Sequence, residues 1–224
     1  DELVRARDAL ASHARRLLEL ARARGHRPRA DRFCYSDVCC RTPGGARLDV
    51  RLERAHAAYA PVYAALDGAV RPVLAQLAAS TERPTAAAAA AHVTVDSTGA
   101  VVALGGAPDQ HFHPDGTARG LFNAFVPLVD TSRANGPTEL RLGTHVAEGA
   151  GTFGGDRALD AAFSVAPELR AGEVLIFDYR VLHRGCANLT SELRPVLYAC
   201  YSTRVGVSDS HNCPEGESLC GSGE

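Results

Sequence analysis

Hydrophobic positions recur at helical spacing along the first two dozen residues and at strand spacing along the second half of the chain. Over residues 2–24 (ELVRARDALASHARRLLELARAR), Leu3, Leu10, Ala14, Leu17 and Ala21 fall near one face of a helix, and Gly25 supplies a stop. Residues 26–46, rich in Arg, Cys, Pro and Gly, read as loop, whereas 47–53 (RLDVRLE) alternates like a strand. A second helix is predicted over 55–79, broken or restarted near Pro61 and Pro72, because proline lacks a backbone donor and crowds the preceding turn. From about residue 86 short β-like stretches follow: AAAAHVTVDS, AVVALGG, LFNAFVPLVD, TELRLG, EVLIFDY and PVLYACYSTR. Turn chemistry separates them at Ser97-Thr98-Gly99, Ala134-Asn135-Gly136-Pro137 and Ala171-Gly172. The alanine run 86–91 fits a helix extension equally well, and 147–165 reads as a mobile loop. The pattern predicts a β barrel or sandwich preceded by helices, α+β in class and one domain in extent. Within it, 1–85 is mainly helical, 86–205 is the β core and 206–224 a cysteine-containing tail.

A hydrophobic content of 46% with 22% charged residues is that of an ordinary soluble globular protein. The net charge of −2 gives no electrostatic grip on nucleic acid or an anionic membrane, so no nucleic-acid partner is expected. No apolar run approaches the ~20 residues that span a bilayer. The chain starts at Asp1 and contains no methionine, and so reads as a processed or trimmed piece whose targeting signal is out of view. Its seven cysteines form no C-x2-C pair of the kind structural zinc sites prefer. Two arrangements stand open: a disulfide from the tail to the Cys34–Cys40 region, implying a secretory lumen, or free thiols in a cytoplasmic protein.

The candidate chemistry lies in DQHFHPDG, residues 109–116. In an extended segment His111, His113 and Asp115 share a face, yet residues four apart lie about 13 Å apart along a strand. Ligand atoms must all reach to about 2.0–2.2 Å from a transition metal, so neighbours two apart suit one ion and residues four apart do not. His113 and Asp115 are therefore the candidate pair, with His111 a bystander or a supporting residue. Of the other histidines, His13, His26, His56 and His92 read as packing or surface residues, His211 lies in the polar tail and His145 follows a Gly-Thr turn. His183 follows the apolar strand EVLIFDY and has a glycine close by for tight backbone approach. Two histidines and one carboxylate with open positions make the facial triad of non-haem Fe(II) oxygenases. An H-x-D tripeptide alone is a common coincidence, and its weight comes from its setting.

That setting resembles a known family. GAPDQHFHPDG, LFNAFVPLVDTSRANGPTELRLGTH and AGEVLIFDYRVLHRGCANLTSELRPVLYACYSTR are similar, in order and spacing, to the phytanoyl-CoA dioxygenase family over about residues 100–204. The resemblance implies a double-stranded β-helix (jelly-roll, cupin-like) barrel with N-terminal helices packed on it. It implies Fe(II) held by His113, Asp115 and His183, with 2-oxoglutarate and O2 as co-substrates and ascorbate as a candidate reductant. It places an arginine eleven residues after the distal histidine on the far carboxylate of 2-oxoglutarate, which is Arg194 here. A planar guanidinium suits that task because it donates two parallel charge-assisted bonds. Gln110, Asn123, Phe125 and Thr138 are further candidates around the co-substrate. The family's usual Pro-Gly-Ser-His is replaced by Leu142-Gly143-Thr144-His145, which alters a turn and removes no ligand, and the cysteine-rich N-terminal region has no counterpart.

The implied reaction is hydroxylation, or a related oxidation, of a small molecule or peptide side chain, with release of succinate and CO2. Asp115 supplies the carboxylate that related halogenases lack. Candidate substrate contacts are residues 41–53, the loop 147–165, Tyr179 and Arg180. Asn188-Leu189-Thr190 is formally a glycosylation sequon, discounted because a glycan there would crowd the site. The competing readings are a non-catalytic metal-binding jelly-roll scaffold or sensor and a cysteine-stapled secreted interaction domain.

Overall fold

A computed structural model describes residues 1–27, 29–41, 46–82, 92–146, 163–209 and 216–221. The alanine run 86–91, most of the expected mobile loop, His211 and Cys213 lie outside the described residues. Among the described residues two helices, α1 (Glu2–Ala23) and α2 (Ala60–Glu82), accompany ten strands. The strands are β1 (Phe33–Cys34), β2 (Val38–Cys40), β3 (Arg47–Arg51), β4 (Thr94–Ala103), β5 (Leu121–Pro127), β6 (Thr138–Arg141), β7 (Ser164–Val165), β8 (Leu175–Asp178), β9 (His183–Gly185) and β10 (Arg194–Ser202). A large sheet runs β1-β2-β3-β4-β10-β5-β8 and a small one β7-β6-β9, with antiparallel pairing throughout. Among the described residues no helix is long and apolar enough to cross a membrane.

Period-two alternation gives the large sheet two different faces. Leu48, Val50, Ala100, Val102, Ala124, Val126, Leu197, Ala199 and Tyr201 join one apolar core with Leu10, Leu17, Tyr63, Leu66, Val70 and Leu74 of the helices. The residues between them in sequence, including Arg47, Asp49, Val101, Asn123, Phe125, Arg194 and Tyr198, line a cavity on the opposite face. One side of the sheet is thus dry and helix-covered, and the other presents polar and charged side chains among apolar ones to the cavity.

Helix α1 follows its expected span. Asp1 caps its N-terminus by accepting from the Leu3 N–H at 3.1 Å, and Gly25 just beyond its end has φ 86°, a left-handed conformation that glycine tolerates best. Helix α2 begins at Ala60 rather than 55, because the preceding residues form tight turns around His56. The His56 carbonyl accepts from Tyr59 and Ala60 at 2.9 Å each, and its ring Nδ1 from Ala58 at 3.2 Å. Pro61 then falls in the first turn, where its missing N–H has no intrahelical partner to lose. The helix continues through Pro72, so the expected break there is absent.

Three further expectations need correction. The segment 26–46 read as loop carries β1 and β2, too short to show a period, and Cys34 and Cys39 form a disulfide within that hairpin. No disulfide joins it to Cys220, whose thiol is free; instead Asp37 accepts from the Ser218 hydroxyl and from the Leu219 and Cys220 N–H groups at 2.8–3.0 Å. Strands β1–β3 also extend the sheet N-terminal to the β core expected from residue 86. Finally, Ser97-Thr98-Gly99 is no turn but the middle of β4. Gly99 pairs opposite Tyr198, and a Cβ there would lie 2.5 Å from both the Tyr198 hydroxyl and the Val50 carbonyl oxygen. The glycine makes room for a ring and a neighbouring strand. Gly99→Ala should destabilise the fold by about 1–3 kcal/mol, the usual scale of overpacking, read as a lower urea midpoint; an unchanged midpoint would contradict the packing account. The turns at Gly136 (φ 85°) and Gly172 (φ 87°) are where the sequence places them.

Candidate metal centre

Strand β9 and the segment carrying H-x-D meet backbone to backbone. The His113 N–H donates to the His183 carbonyl at 3.0 Å, the His183 N–H returns a bond to His113 at 2.9 Å, and the Asp115 N–H donates to the Tyr179 carbonyl at 3.1 Å. Residues seventy apart in sequence are thereby fixed in register. One ligand atom from each of His113, Asp115 and His183 lies within 4.8 Å of the others, and His183 Nε2 is 3.7 Å from Asp115 Oδ2. His111 is not in this group; it stands at the exposed edge of the cavity, and its carbonyl accepts from His113 Nδ1 at 2.9 Å.

The hydrogen bonds also orient the ligand atoms. His113 Nδ1 meets the His111 carbonyl and His183 Nδ1 meets the Val181 carbonyl at 3.0 Å. A carbonyl only accepts, so each Nδ1 carries the proton and each Nε2 keeps its lone pair. Burial, and then the neighbouring His183, push the His113 imidazole below its ordinary pKa, favouring the neutral form that binds a metal. Asn123 on β5, buried, donates its amide to Asp115 Oδ2 at 2.5 Å. It thus supports the carboxylate as well as lining the cavity. Asn123→Ala should weaken divalent-metal affinity by ~10–100-fold, as loss of a bond that orients a ligand usually does. Calorimetric Mn(II) titration checks this, and unaltered affinity would remove Asn123 from the site.

The triad opens on a cavity of about 450 Å³. Arg194 lines it from the start of β10 and is only 2% exposed, and Arg47 lines it from β3 at 3%. Among the described residues, Nε and Nη2 of Arg194 and Nε and Nη1 of Arg47 have no hydrogen-bond partner. Burial, with Arg47 beside it, pulls the Arg194 guanidinium down to about 9; burial pulls Arg47 down to about 10. Gln110, Phe125 and Thr138 also face the cavity. Gln110 Oε1 accepts from the Gly185 N–H at 2.9 Å, Thr138 pairs with Gly185, and the Phe125 ring packs edge-on to Phe177 at 5.0 Å.

Of the two candidate substrate contacts, Tyr179 lines the cavity with its hydroxyl donated to Asp209 at 2.5 Å. Arg180 does not line it; Nε and Nη2 are held by Asp178 at 2.9 and 2.7 Å. From the expected 41–53 segment, Arg41, Arg47 and Asp49 line the cavity, while 42–45 lie outside the described residues. The sequon asparagine is fully buried, its amide donating to the Ala103, Leu104 and Glu192 carbonyls, so the folded chain offers no acceptor there. In the altered turn, the Thr144 hydroxyl donates to the Arg141 carbonyl and accepts from the Leu182 N–H, both at 2.8 Å, tying the turn to the residue before His183.

Sequence reasoning reaches Arg47 and Asp49 only as members of the 41–53 segment, without a role, and misses Tyr198 and Asp209 in the cavity wall. The available signal was the strand alternation that sets Arg47 and Asp49 opposite Leu48 and Val50. Burial pushes the Asp49 carboxyl up to about 6, against Arg41 at 3.4 Å and the Tyr198 hydroxyl at 3.0 Å. An aspartate in the unfolded chain titrates near ~3.9. From about pH 4 to 6 the folded chain therefore keeps a proton that the unfolded chain has lost, and Asp49 lowers stability as pH rises through that window. Thermal melts of Asp49→Asn against the parent should show the variant gaining relative stability from about pH 4 to 6. A difference constant with pH would refute the assignment.

Comparison with known proteins matches these elements to one family. The phytanoyl-CoA dioxygenase (PhyH) sequence profile covers residues 49–196, well over half of the chain. The chain belongs to the phytanoyl-CoA dioxygenase family. Within that match lie Asp49, the triad and Arg194. Dioxygenase hkm4 of Aspergillus hancockii is 31% identical over 108 residues, covering 43% of this chain and 34% of that protein. The chain thus spans about a third of the length of this curated relative. Among solved structures, AviO1 from Streptomyces viridochromogenes Tue57 superposes with a TM-score of 0.55 at 22% identity, over 96% of this chain and 88% of AviO1. The non-heme alpha-ketoglutarate-dependent epimerase SnoN from nogalamycin biosynthesis gives 0.53 at 19%, over 92% and 80%. SnoN has also been solved with Fe3+, alpha-ketoglutarate and nogalamycin RO; that structure gives 0.51 at 19%, over 84% and 73%. At these identities the likeness speaks for the fold, a large antiparallel sheet with few helices.

Proposed function

We propose that this chain is an Fe(II)- and 2-oxoglutarate-dependent oxygenase of the hydroxylase type, a single domain acting on a small molecule or peptide side chain. Its two sheets are read as the halves of a jelly roll enclosing the site. One observation carries the proposal: two histidines with free Nε2 lone pairs and a carboxylate converge beside a buried guanidinium whose Nε and Nη2 have no partner among the described residues. The donor set fits a divalent iron, and the orphaned N–H groups of Arg194 fit a carboxylate. His113, Asp115 and His183 would hold the metal and Arg194 the distal carboxylate of 2-oxoglutarate, with Gln110, Phe125 and Thr138 around it. Iron, once bound, would let O2 be reduced by two electrons from the oxidative decarboxylation of 2-oxoglutarate and two from an unactivated C–H bond, with succinate and CO2 as co-products.

The protein's own part is positioning. Asn123 orients Asp115, the Val181 and His111 carbonyls fix the imidazole tautomers, and Phe125 and Phe177 wall the triad with apolar rings. Asp115 would fill a coordination position with a carboxylate, which favours hydroxylation over halogenation. A non-catalytic scaffold has no use for a buried guanidinium with two unpartnered nitrogens, and this supports turnover. The test is succinate formation from 2-oxoglutarate, read by mass spectrometry. Succinate that requires both Fe(II) and O2 is expected; none above the rate of free Fe(II) in buffer would leave the scaffold reading standing.

A further inference from the structure

The co-substrate assignment leaves one buried cation unexplained. Arg47 of β3 and Arg194 of β10 both pair with Ala103 of β4, from opposite sides. The two side chains therefore rise from one row of the sheet, on its cavity face, with only the small Ala103 in the row between them. Nη2 of Arg47 already donates to the carbonyls of Pro108, Gly185 and Cys186 at 2.8, 3.1 and 2.6 Å. Those bonds are enough to staple β9 to the sheet, yet Nη1 and Nε remain without partners. Gly185 adjoins them: a Cβ there would lie 2.8 Å from both Arg47 Nη1 and Gln110 Oε1. A purely structural arginine would leave two guanidinium nitrogens unpartnered in a buried wall, next to a like charge, for no gain. Among the described residues no carboxylate forms an ion pair with either guanidinium. Four unpartnered guanidinium nitrogens on two adjacent cations call for an anion.

We propose that Arg47 is the second arm of an arginine pair that grips the distal carboxylate of 2-oxoglutarate with Arg194, and that it sets the preference for a dicarboxylic over a monocarboxylic 2-oxo acid. This rests on the oxygenase reading above. Arg47 is a binding residue in this account, with stapling of β9 as a second duty of the same side chain.

The experiment is calorimetric titration of the Mn(II)-loaded protein with 2-oxoglutarate and, separately, with 2-oxopentanoate, which has a methyl group in place of the distal carboxylate. The parent should prefer 2-oxoglutarate. Arg47→Gln should lose about 10- to 100-fold of its affinity for 2-oxoglutarate, the worth of hydrogen bonds to a charged group, and keep its affinity for 2-oxopentanoate. Arg47→Lys, which retains the charge without the fork, should fall between parent and Arg47→Gln. Equal loss for both acids, or loss for neither, would overturn the proposal and leave Arg47 a staple. Should Arg47→Gln not fold, the same ratio is read in Arg47→Lys: loss confined to 2-oxoglutarate supports the pair, and equal or no loss overturns it. A parent protein that binds neither acid would instead sink the oxygenase reading, and the proposal with it.

Discussion

His183→Ala should abolish Fe(II)-dependent succinate release while leaving the chain folded. The backbone bonds that join residue 183 to His113 are made by amide and carbonyl groups, which alanine also has. What disappears is one Nε2 of a three-residue donor set, together with ring packing on Phe177 at 4.8 Å. Removing a group that merely orients a ligand costs ~10–100-fold in metal affinity or activity, so removing the ligand itself should exceed the upper end of that range. His113→Ala should behave alike, because its ring too is held by a backbone carbonyl and offers Nε2 to the same point. Circular dichroism alongside the succinate assay separates loss of site from loss of fold. Folded variants that retain parental turnover would contradict the site.

Arg194→Gln should raise the Kd for 2-oxoglutarate roughly 30- to 5,000-fold, the equivalent of the ~2–5 kcal/mol lost when one partner of a buried charge pair is removed. The apoprotein should respond in the opposite direction. Burial pulls the Arg194 pKa to about 9, below the value an arginine has in the unfolded chain, so the folded state disfavours the charge. That penalty applies at every pH below about 9 and is relieved only above it. Replacing the cation with a neutral amide should therefore raise the melting temperature of ligand-free protein and shrink the further rise that 2-oxoglutarate gives. A residue that served stability alone would show the reverse: a lower apo melting temperature with unchanged 2-oxoglutarate affinity.

How legible the chain is depends on how local the cause is. The H-x-D pair and the post-strand histidine can be read because neighbouring extended residues share a face and a strand end delivers its next residues to a pocket. The resemblance then carried Arg194. Arg47 and Asp49 fall within the expected 41–53 segment, but their individual roles are hidden for the same reason that β3 is visible. Alternation identified the strand, but a charged residue in a strand is ordinarily read as facing water, and here the polar face lines a cavity. Gly99 misled because Ser-Thr-Gly is turn chemistry, whereas the glycine is there to admit the Tyr198 ring from a strand ninety-nine residues later. Strands β1, β2, β7 and β9, of two or three residues each, are too short to show any period and form through pairing with distant partners. The anchoring of the tail by Asp37 is likewise non-local, joining residues more than 180 positions apart.

The central claim is that His113, Asp115 and His183 form one iron site at which 2-oxoglutarate binds next to Arg194. Anaerobic titration with Fe(II) and 2-oxoglutarate tests it most directly, because a 2-oxo acid chelated to ferrous iron gives a visible charge-transfer absorption. The band should need both additions, be absent from His183→Ala, and require higher 2-oxoglutarate in Arg194→Gln. No band in the parent protein, or an undiminished band in His183→Ala, would contradict it.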